Sequence, residues 1–172
     1  VNSGDHRPGF RWLHESFGSN FRMTEMQAAI GRLQLAKLSD WVEQRAANAA
    51  RLAAGMGSIR GIRVHLPEDH IFHAYYKFYA FLDPDALKPD WNQTRIIDAI
   101  IAEGVPCLAG GCSEIYREKA FVAAGLAPAA SLPVASRMAT TSLMFLVHPT
   151  LSSSDMDDTL AAIEKVMSEA VT

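Results

Sequence analysis

The sequence is poor in cysteine and has no long apolar run. Its 172 residues include two cysteines, Cys107 and Cys112, whose spacing fits neither a zinc motif nor a redox Cys-x-x-Cys pair. We therefore expect two reduced thiols. The chain also lacks the roughly 18 consecutive apolar residues of a membrane span and the charged start and apolar middle of a secretory signal. These absences predict a cytoplasmic protein with no membrane partner.

The charge balance excludes a second group of partners. The 16 basic and 19 acidic side chains give a net charge of -3, which offers no counterion-release advantage on a phosphate backbone. Nucleic acid is therefore not an expected partner. A hydrophobic content of 49% is sufficient for one compact domain. Because Val1 is not Met and polar residues follow it, we expect that the chain begins within a longer protein.

The first third of the chain predicts a lead-in loop and a long helix. Residues 1–23 carry glycine, proline and aromatic side chains, and Thr24 with Gln27 forms a capping-box pattern. Apolar residues at helical spacing then continue until Gly55 and Gly57. A helix over 24–57 would extend about 45 Å at 1.5 Å per residue. We expect this connecting helix to meet another domain or subunit, because it is too long for its own domain.

Residues 58–172 predict a small α+β domain. Strands are expected at 59–66, 74–82, 105–108 and 143–147, where β-branched and aromatic residues lie between turn signals. Helices are expected from Asn92 or Thr94 to Gly104, over 114–124, over 134–139, and after a cap at 152–154. This order predicts a small, mostly antiparallel sheet covered by helices.

Two clusters, one of histidines and one of glycines, have residue types that suit a binding site but lack a complete motif. His65, His70 and His73 lack a carboxylate pattern that would finish a metal site, so hydrogen-bonded strand-end residues are the simpler interpretation, with His73 nearest to a site. Gly110 and Gly111 fit either a phosphate-binding loop or a plain turn, and no Gly-x-x-x-x-Gly-Lys-Ser/Thr or Gly-x-Gly-x-x-Gly pattern decides between them.

A nucleophilic trio and an anion site are the remaining candidates. Cys112, Ser113 and His148 lack the Gly-x-Ser-x-Gly elbow of a hydrolase. Asn20 and Arg22 stand before the capped helix, where an amide and a guanidinium suit a phosphate or carboxylate. The alternative makes Asn20 a turn residue and Arg22 a surface charge.

Residues 18–45 resemble a hallmark of the DegT/StrS family of sugar aminotransferases, in which Gly-x-Asn-x-Arg-Met-x-Glu precedes a helix. The matching positions are Gly18, Asn20, Arg22, Met23, Glu25, Gln27, Ala28, Ala29, Gly31, Gln34, Leu35, Leu38 and Arg45. Further similarities follow in order: a His-x-Tyr strand at 73–81, the string Glu-Gly-Val-Pro at 103–106, a Leu-Pro-x-Ala segment at 132–135 and the string His-Pro-Thr-Leu-Ser at 148–152.

The resemblance implies a fold type I, aspartate aminotransferase-like enzyme that uses pyridoxal 5'-phosphate. This chain would be its small C-terminal domain with the connecting helix. The implied reaction transfers an amino group, commonly from glutamate, to a keto sugar linked to a nucleotide, in surface-polysaccharide (lipopolysaccharide or O-antigen) or antibiotic-sugar biosynthesis. In the family the Schiff-base lysine lies upstream of the position of Val1, so the chain alone is expected to be inactive. Asn20 would reach the cofactor phosphate of the neighbouring subunit in a homodimer, with Arg22 beside it.

One segment departs from the family. Many members carry Pro-x-x-x-Pro-Leu-His in the sugar pocket, whereas residues 109–116 here read Ala-Gly-Gly-Cys-Ser-Glu-Ile-Tyr. Ser113, Glu114 and Tyr116, together with His73, are the predicted substrate-binding residues, and the identity of the sugar is left open. The alternatives are a sugar dehydratase or regulatory member of the same family, or a non-catalytic dimerisation module.

Overall fold

The structure is a computed structural model that describes residues 21–111 and 113–172. The chain divides into two compact units, Val1–Ala36 and Lys37–Thr172. In the first unit, α1 covers Glu25–Leu35. Its start confirms the predicted capping box, because Thr24 Oγ1 accepts the Gln27 amide at 3.3 Å and Gln27 Oε1 accepts the Thr24 amide at 2.9 Å. α1 buries none of its residues.

The predicted uninterrupted helix over 24–57 is wrong in one respect. α2 begins at Leu38 and ends at Met56, so Ala36 and Lys37 separate it from α1. Neither separating residue is Gly or Pro, and both keep right-handed helical dihedral angles. The helix is therefore interrupted by a local loss of its hydrogen-bond ladder, and no helix-breaking residue stands at this point. Residues 24–57 fall into both units, and α2 belongs to the second.

The second unit is a four-stranded antiparallel sheet with helices. Its elements after α2 are β1 (Ile62–Val64), β2 (Phe78–Leu82), α3 (Gln93–Ala102), β3 (Cys107–Leu108), α4 (Lys119–Ala123), α5 (Pro133–Thr141), β4 (Ser142–Phe145) and α6 (Ser153–Ala170), with 3-10 turns at Pro84–Ala86 and Ile115–Arg117. The strand order is β1-β2-β4-β3, and every pair is antiparallel. This arrangement confirms the predicted α+β class. The strands are shorter than predicted.

The core lies between one face of the sheet and the helices α2, α3 and α6. Phe78, Ala80 and Leu82 of β2 alternate with more exposed residues, so their side chains share the buried face. α6 starts at a capping box in which Ser152 and Asp155 bond each other's amides, as predicted near this position. None of the described helices has the length and apolar character needed to cross a bilayer.

α2 and α6 approach closely at Gly55. A Cβ atom at this position would lie 2.5 Å from both terminal methyl groups of Leu160. Gly55 thus lies inside the last turn of α2, and Gly57 caps the helix. The two glycines that predicted the end of the helix have different roles, one in helix packing and one in termination.

Two loops leave the sheet at opposite ends. Phe78 at the start of β2 pairs with Phe145 at the end of β4, so residues 73–77 enter the sheet at this end. β3 runs antiparallel to β4, with Leu108 opposite Met144, and the chain after β3 therefore emerges near the start of β4. We call residues 73–77 the β2 loop and residues 113–136 the β3 segment.

Candidate functional site

The predicted anion site begins in the first unit. Asn20 lies outside the described residues. Arg22 is exposed and stands two residues before the capping residue Thr24. Among the described residues before α1, Arg22 carries the positive charge that fits a phosphate group. The capping box already supplies an acceptor for the Gln27 amide, so the fit to a phosphate depends on the guanidinium more than on the helix start.

His73 lies in the β2 loop, beside Tyr75. The Tyr75 amide donates to His73 Nδ1 at 3.2 Å, and the two rings meet edge to face with centroids 4.3 Å apart. Within the described ranges, the hydrogen bond of His73 uses Nδ1, so Nε2 is the ring nitrogen available to a ligand's oxygen atom.

Arg45 on α2 holds the β2 loop through its backbone. Its Nη1 donates to the carbonyl oxygens of Tyr75 at 3.3 Å and Tyr76 at 3.0 Å, and its guanidinium lies 5.9 Å from the centre of the Tyr76 ring. Tyr75 adopts a φ of 44°, in the left-handed region that costs an L-residue about 1 to 2 kcal/mol. The charged donor stabilises a conformation that a tyrosine otherwise disfavours.

Gly110 turns the chain after β3. Its φ is 92°, and a Cβ atom there would lie 2.8 Å from Tyr79 Cε1. Ser142 Oγ donates to the Ala109 carbonyl, and Gln93 Nε2 donates to the Ser142 carbonyl at 2.7 Å. These contacts explain Gly110 as a turn residue. Among the described residues that are not its neighbours in the chain, none has an atom within 4 Å of a Cβ atom placed at Gly111.

Glu114 is the centre of a hydrogen-bond cluster. Its Oε1 accepts the Tyr116 hydroxyl at 2.6 Å and the Ser136 hydroxyl at 2.7 Å, and its Oε2 lies 3.2 Å from Arg117 Nη1. The Tyr116 oxygen in turn accepts the Leu132 amide at 2.9 Å. The Tyr116 hydroxyl above all, then Ser136 and Arg117, holds the pKa of the Glu114 carboxyl below its usual value, although partial burial opposes this shift.

The structure brings only some of the predicted substrate residues together. Glu114 and Tyr116 are hydrogen-bonded, and Ser113 precedes them in a half-buried position. His73 lies in the loop at the other end of the sheet. Ser136 was not predicted, because a partner 22 positions away leaves no periodic pattern. Arg45 was noted only as a family match, and nothing in its sequence context indicated that it binds two carbonyl groups.

The remaining sequence candidates are the histidines and the predicted trio of Cys112, Ser113 and His148, of which Cys112 lies outside the described residues. Within the described ranges, no three His, Cys, Asp or Glu residues gather as metal ligands. His148 follows the end of β4, and its Nδ1 lies 2.8 Å from Thr150 Oγ1. Cys107 is a free, buried thiol, and burial raises its pKa to about 12. It is therefore protonated and unreactive at neutral pH.

Known proteins are similar to this chain in sequence. The model of the DegT/DnrJ/EryC1/StrS aminotransferase family matches residues 2–164. The chain is 30% identical over 156 residues to the erythromycin biosynthesis sensory transduction protein EryC1 of Saccharopolyspora erythraea, covering 90% of this chain and 40% of that protein. It is 38% identical over 68 residues to the dTDP-3-amino-3,4,6-trideoxy-alpha-D-glucose transaminase of Streptomyces venezuelae, covering 38% of this chain and 18% of that protein.

A solved aminotransferase structure is similar to this chain in fold. The aminotransferase from Psychrobacter cryohalolentis superposes with a TM-score of 0.83 at 46% identity, covering 96% of this chain and 44% of that one. The antiparallel sheet and its helices are thus part of an aminotransferase fold. The chain belongs to the DegT/DnrJ/EryC1/StrS aminotransferase family. It spans less than half the length of these relatives.

Proposed function

We propose that the intact protein is a pyridoxal-phosphate-dependent aminotransferase that transfers an amino group from glutamate to a keto sugar linked to a nucleotide. The chain Val1–Thr172 would form its C-terminal part, with the second unit as the small domain. The observation that carries this proposal is the family match over residues 2–164. One relative is the dTDP-3-amino-3,4,6-trideoxy-alpha-D-glucose transaminase of Streptomyces venezuelae, which supports a nucleotide sugar as the acceptor.

We assign the cofactor's phosphate to Asn20 and Arg22, acting across a homodimer on the active site of the neighbouring subunit. When bound, pyridoxal phosphate supplies an electron sink for the amino-transfer chemistry. Arg22 contributes a fixed positive charge and a planar pair of donors. Because an ionised donor bonds a phosphate oxygen more strongly than a neutral one, its part is to retain and orient the cofactor.

The lysine that binds the cofactor covalently is assigned to a position outside Val1–Thr172. Lys88 Nζ donates to the Glu169 carbonyl at 2.6 Å, and Lys165 Nζ lies 2.7 Å from Glu103 Oε2. Lys37 and Lys77 lie over the aromatic rings of Trp41 and Tyr76, and Lys119 is exposed at the start of a five-residue helix. These surroundings support a structural or surface role for each of the five.

The substrate side is assigned to the β2 loop and the β3 segment. His73 offers the hydrogen on Nε2 to a sugar or phosphate oxygen, and Ser113 offers a hydroxyl at the start of the β3 segment. Glu114 and Tyr116 belong to the same segment. The product would enter a surface-polysaccharide pathway, such as that of lipopolysaccharide or O-antigen, or an antibiotic-sugar pathway, in the cytoplasm.

The activity test uses the intact protein loaded with pyridoxal phosphate. We expect glutamate to remove the visible absorption of the bound cofactor and to yield 2-oxoglutarate, with an amino sugar formed from a nucleotide-linked keto sugar. Loss of a sugar hydroxyl without amine gain would instead identify a dehydratase. Failure to bind the cofactor at all would leave a regulatory or dimerisation role.

A substitution tests the cofactor contact. Arg22→Ala should weaken cofactor retention by about tenfold or more, because it removes a charge-assisted hydrogen bond of about 1.5 to 3 kcal/mol. Arg32→Ala in the last turn of α1 is the matched control, since it removes the same charge away from the helix start. Equal retention by both variants and the wild type, measured by cofactor absorbance after dialysis, would remove Arg22 from the site.

A further inference from the structure

Glu114 joins the two ends of the β3 segment. Tyr116 and Arg117 follow it closely in the chain, whereas Ser136 and Leu132 come from the far end, on or just before α5. The carboxylate binds Ser136 directly and reaches the Leu132 amide through the Tyr116 hydroxyl. One ionised group therefore closes a loop of more than twenty residues.

The polar atoms of this cluster are already used inside the protein. Both carboxylate oxygens of Glu114 have a donor, and its side chain is only 14% exposed. The Tyr116 hydroxyl donates once and accepts once. Three of the about four lone-pair sites of the carboxylate and the single hydroxyl proton of Tyr116 are thereby engaged. Most of the hydrogen-bonding capacity of Glu114 and Tyr116 thus serves the segment itself.

The residues that this cluster encloses are exposed. α4 packs against the turn Ile115–Arg117, and apolar side chains on the segment face solvent, among them Val122, Leu126 and Val134, which are 57%, 68% and 74% exposed. Backbone hydrogen bonds inside the segment are local, such as those from the Phe121 and Val122 amides to the Glu118 carbonyl. The Glu114 cluster connects the two ends of the segment, and it combines a charge with contacts of 2.6, 2.7 and 3.2 Å.

We propose that Glu114 is a positioning residue: by closing the β3 segment it fixes Ser113 and the exposed side chains of the segment for contact with the nucleotide-sugar acceptor. This inference rests on the proposed function for the identity of the ligand. It gives Glu114 and Tyr116 an indirect role in addition to the direct contact that the sequence predicted. Recognition of the acceptor depends on the cluster, and retention of the cofactor does not.

The test compares three variants of the intact protein that remove one part of the cluster each. Glu114→Gln keeps the shape but removes the charge, Tyr116→Phe removes the bridging hydroxyl, and Ser136→Ala removes the bond to α5. Glu103→Gln is the control, because it neutralises a carboxylate whose partner Lys165 lies outside the segment. Each variant is measured for hydrogen exchange at residues 117–132 and for calorimetric binding of dTDP-glucose and UDP-glucose, two unreactive probes of the acceptor site.

We expect the three variants to speed exchange in the segment and to weaken binding of the preferred probe by about tenfold, with the cofactor spectrum unchanged. The control should match the wild type. Faster exchange with unchanged probe binding would overturn the proposal, as would unchanged exchange or a wild type that binds neither probe. If the wild type binds a probe but transfers no amino group, the proposed function is refuted and the positioning role of Glu114 is not.

Discussion

The β2 loop and the β3 segment leave opposite ends of one sheet and are held by charges of opposite sign. Arg45 donates to two backbone carbonyl groups, so it fixes the β2 loop with little regard to the side chains there. Glu114 accepts from the side chains of Tyr116, Ser136 and Arg117. We therefore expect the β2 loop to tolerate substitution of its own side chains, whereas the β3 segment depends on residues that are distant in sequence.

Removal of the cation should have the largest effect. Arg45→Ala leaves the carbonyl groups of Tyr75 and Tyr76 without a charged donor, so we expect a loss of about 3 kcal/mol in the free energy of unfolding. Arg51→Ala is the control, since Arg51 pairs with Asp157 at an exposed position and should cost much less. Chemical denaturation measures both. Equal losses would show that the β2 loop does not depend on Arg45.

The turn before the β3 segment provides the second test. Gly110→Ala places a methyl group against the Tyr79 ring at a positive φ, and we expect it to cost about 2 kcal/mol. Gly111→Ala, with open space around its Cβ atom, should be close to neutral. The two midpoints of denaturant unfolding give the comparison. A neutral Gly110→Ala would mean that the segment leaves the sheet by another path.

The smallest expected effect is that of acidification, which should loosen the β3 segment at a higher pH than the β2 loop. The pKa of the Glu114 carboxyl is lowered in the folded protein, so its contribution is complete above the unfolded pKa of about 4.3 and is lost as the pH falls through the folded value. Arg45 stays charged throughout this range. Hydrogen exchange, corrected for intrinsic rates, should therefore rise in the β3 segment before it rises in the β2 loop. Simultaneous loosening would contradict the assignment.

Local chemistry made much of the fold predictable. The Thr24 and Ser152 caps, the Asn92 start of α3 and the order of strands and helices all follow from patterns within a few residues. The break at Ala36 and Lys37 was not predictable, because both residues favour or tolerate a helix. The strands end earlier than predicted because residue propensity describes one segment alone, whereas the length of a strand also depends on the strand with which it pairs.

The site was less predictable than the fold. The segment that carries Ser113, Glu114 and Tyr116 was identified because it departs from a family pattern. Its polar residue types, taken alone, suggested contact with a ligand. Only the folded chain shows that Ser136 and Leu132 return to Glu114 and Tyr116. The anchoring role of Arg45 was hidden for the same reason, since its partners are backbone atoms that every residue possesses.

The strand order affects how the chain folds while it is being synthesised. β2 lies at the centre of the sheet, yet one of its two neighbours is β4, which follows only after α3, β3, α4 and α5. During synthesis one edge of β2 therefore remains unpaired until β4 has left the ribosome. Pairing across such a distance is slow, and an open apolar edge attracts other strands. The nascent chain should need protection from aggregation until Phe145 meets Phe78.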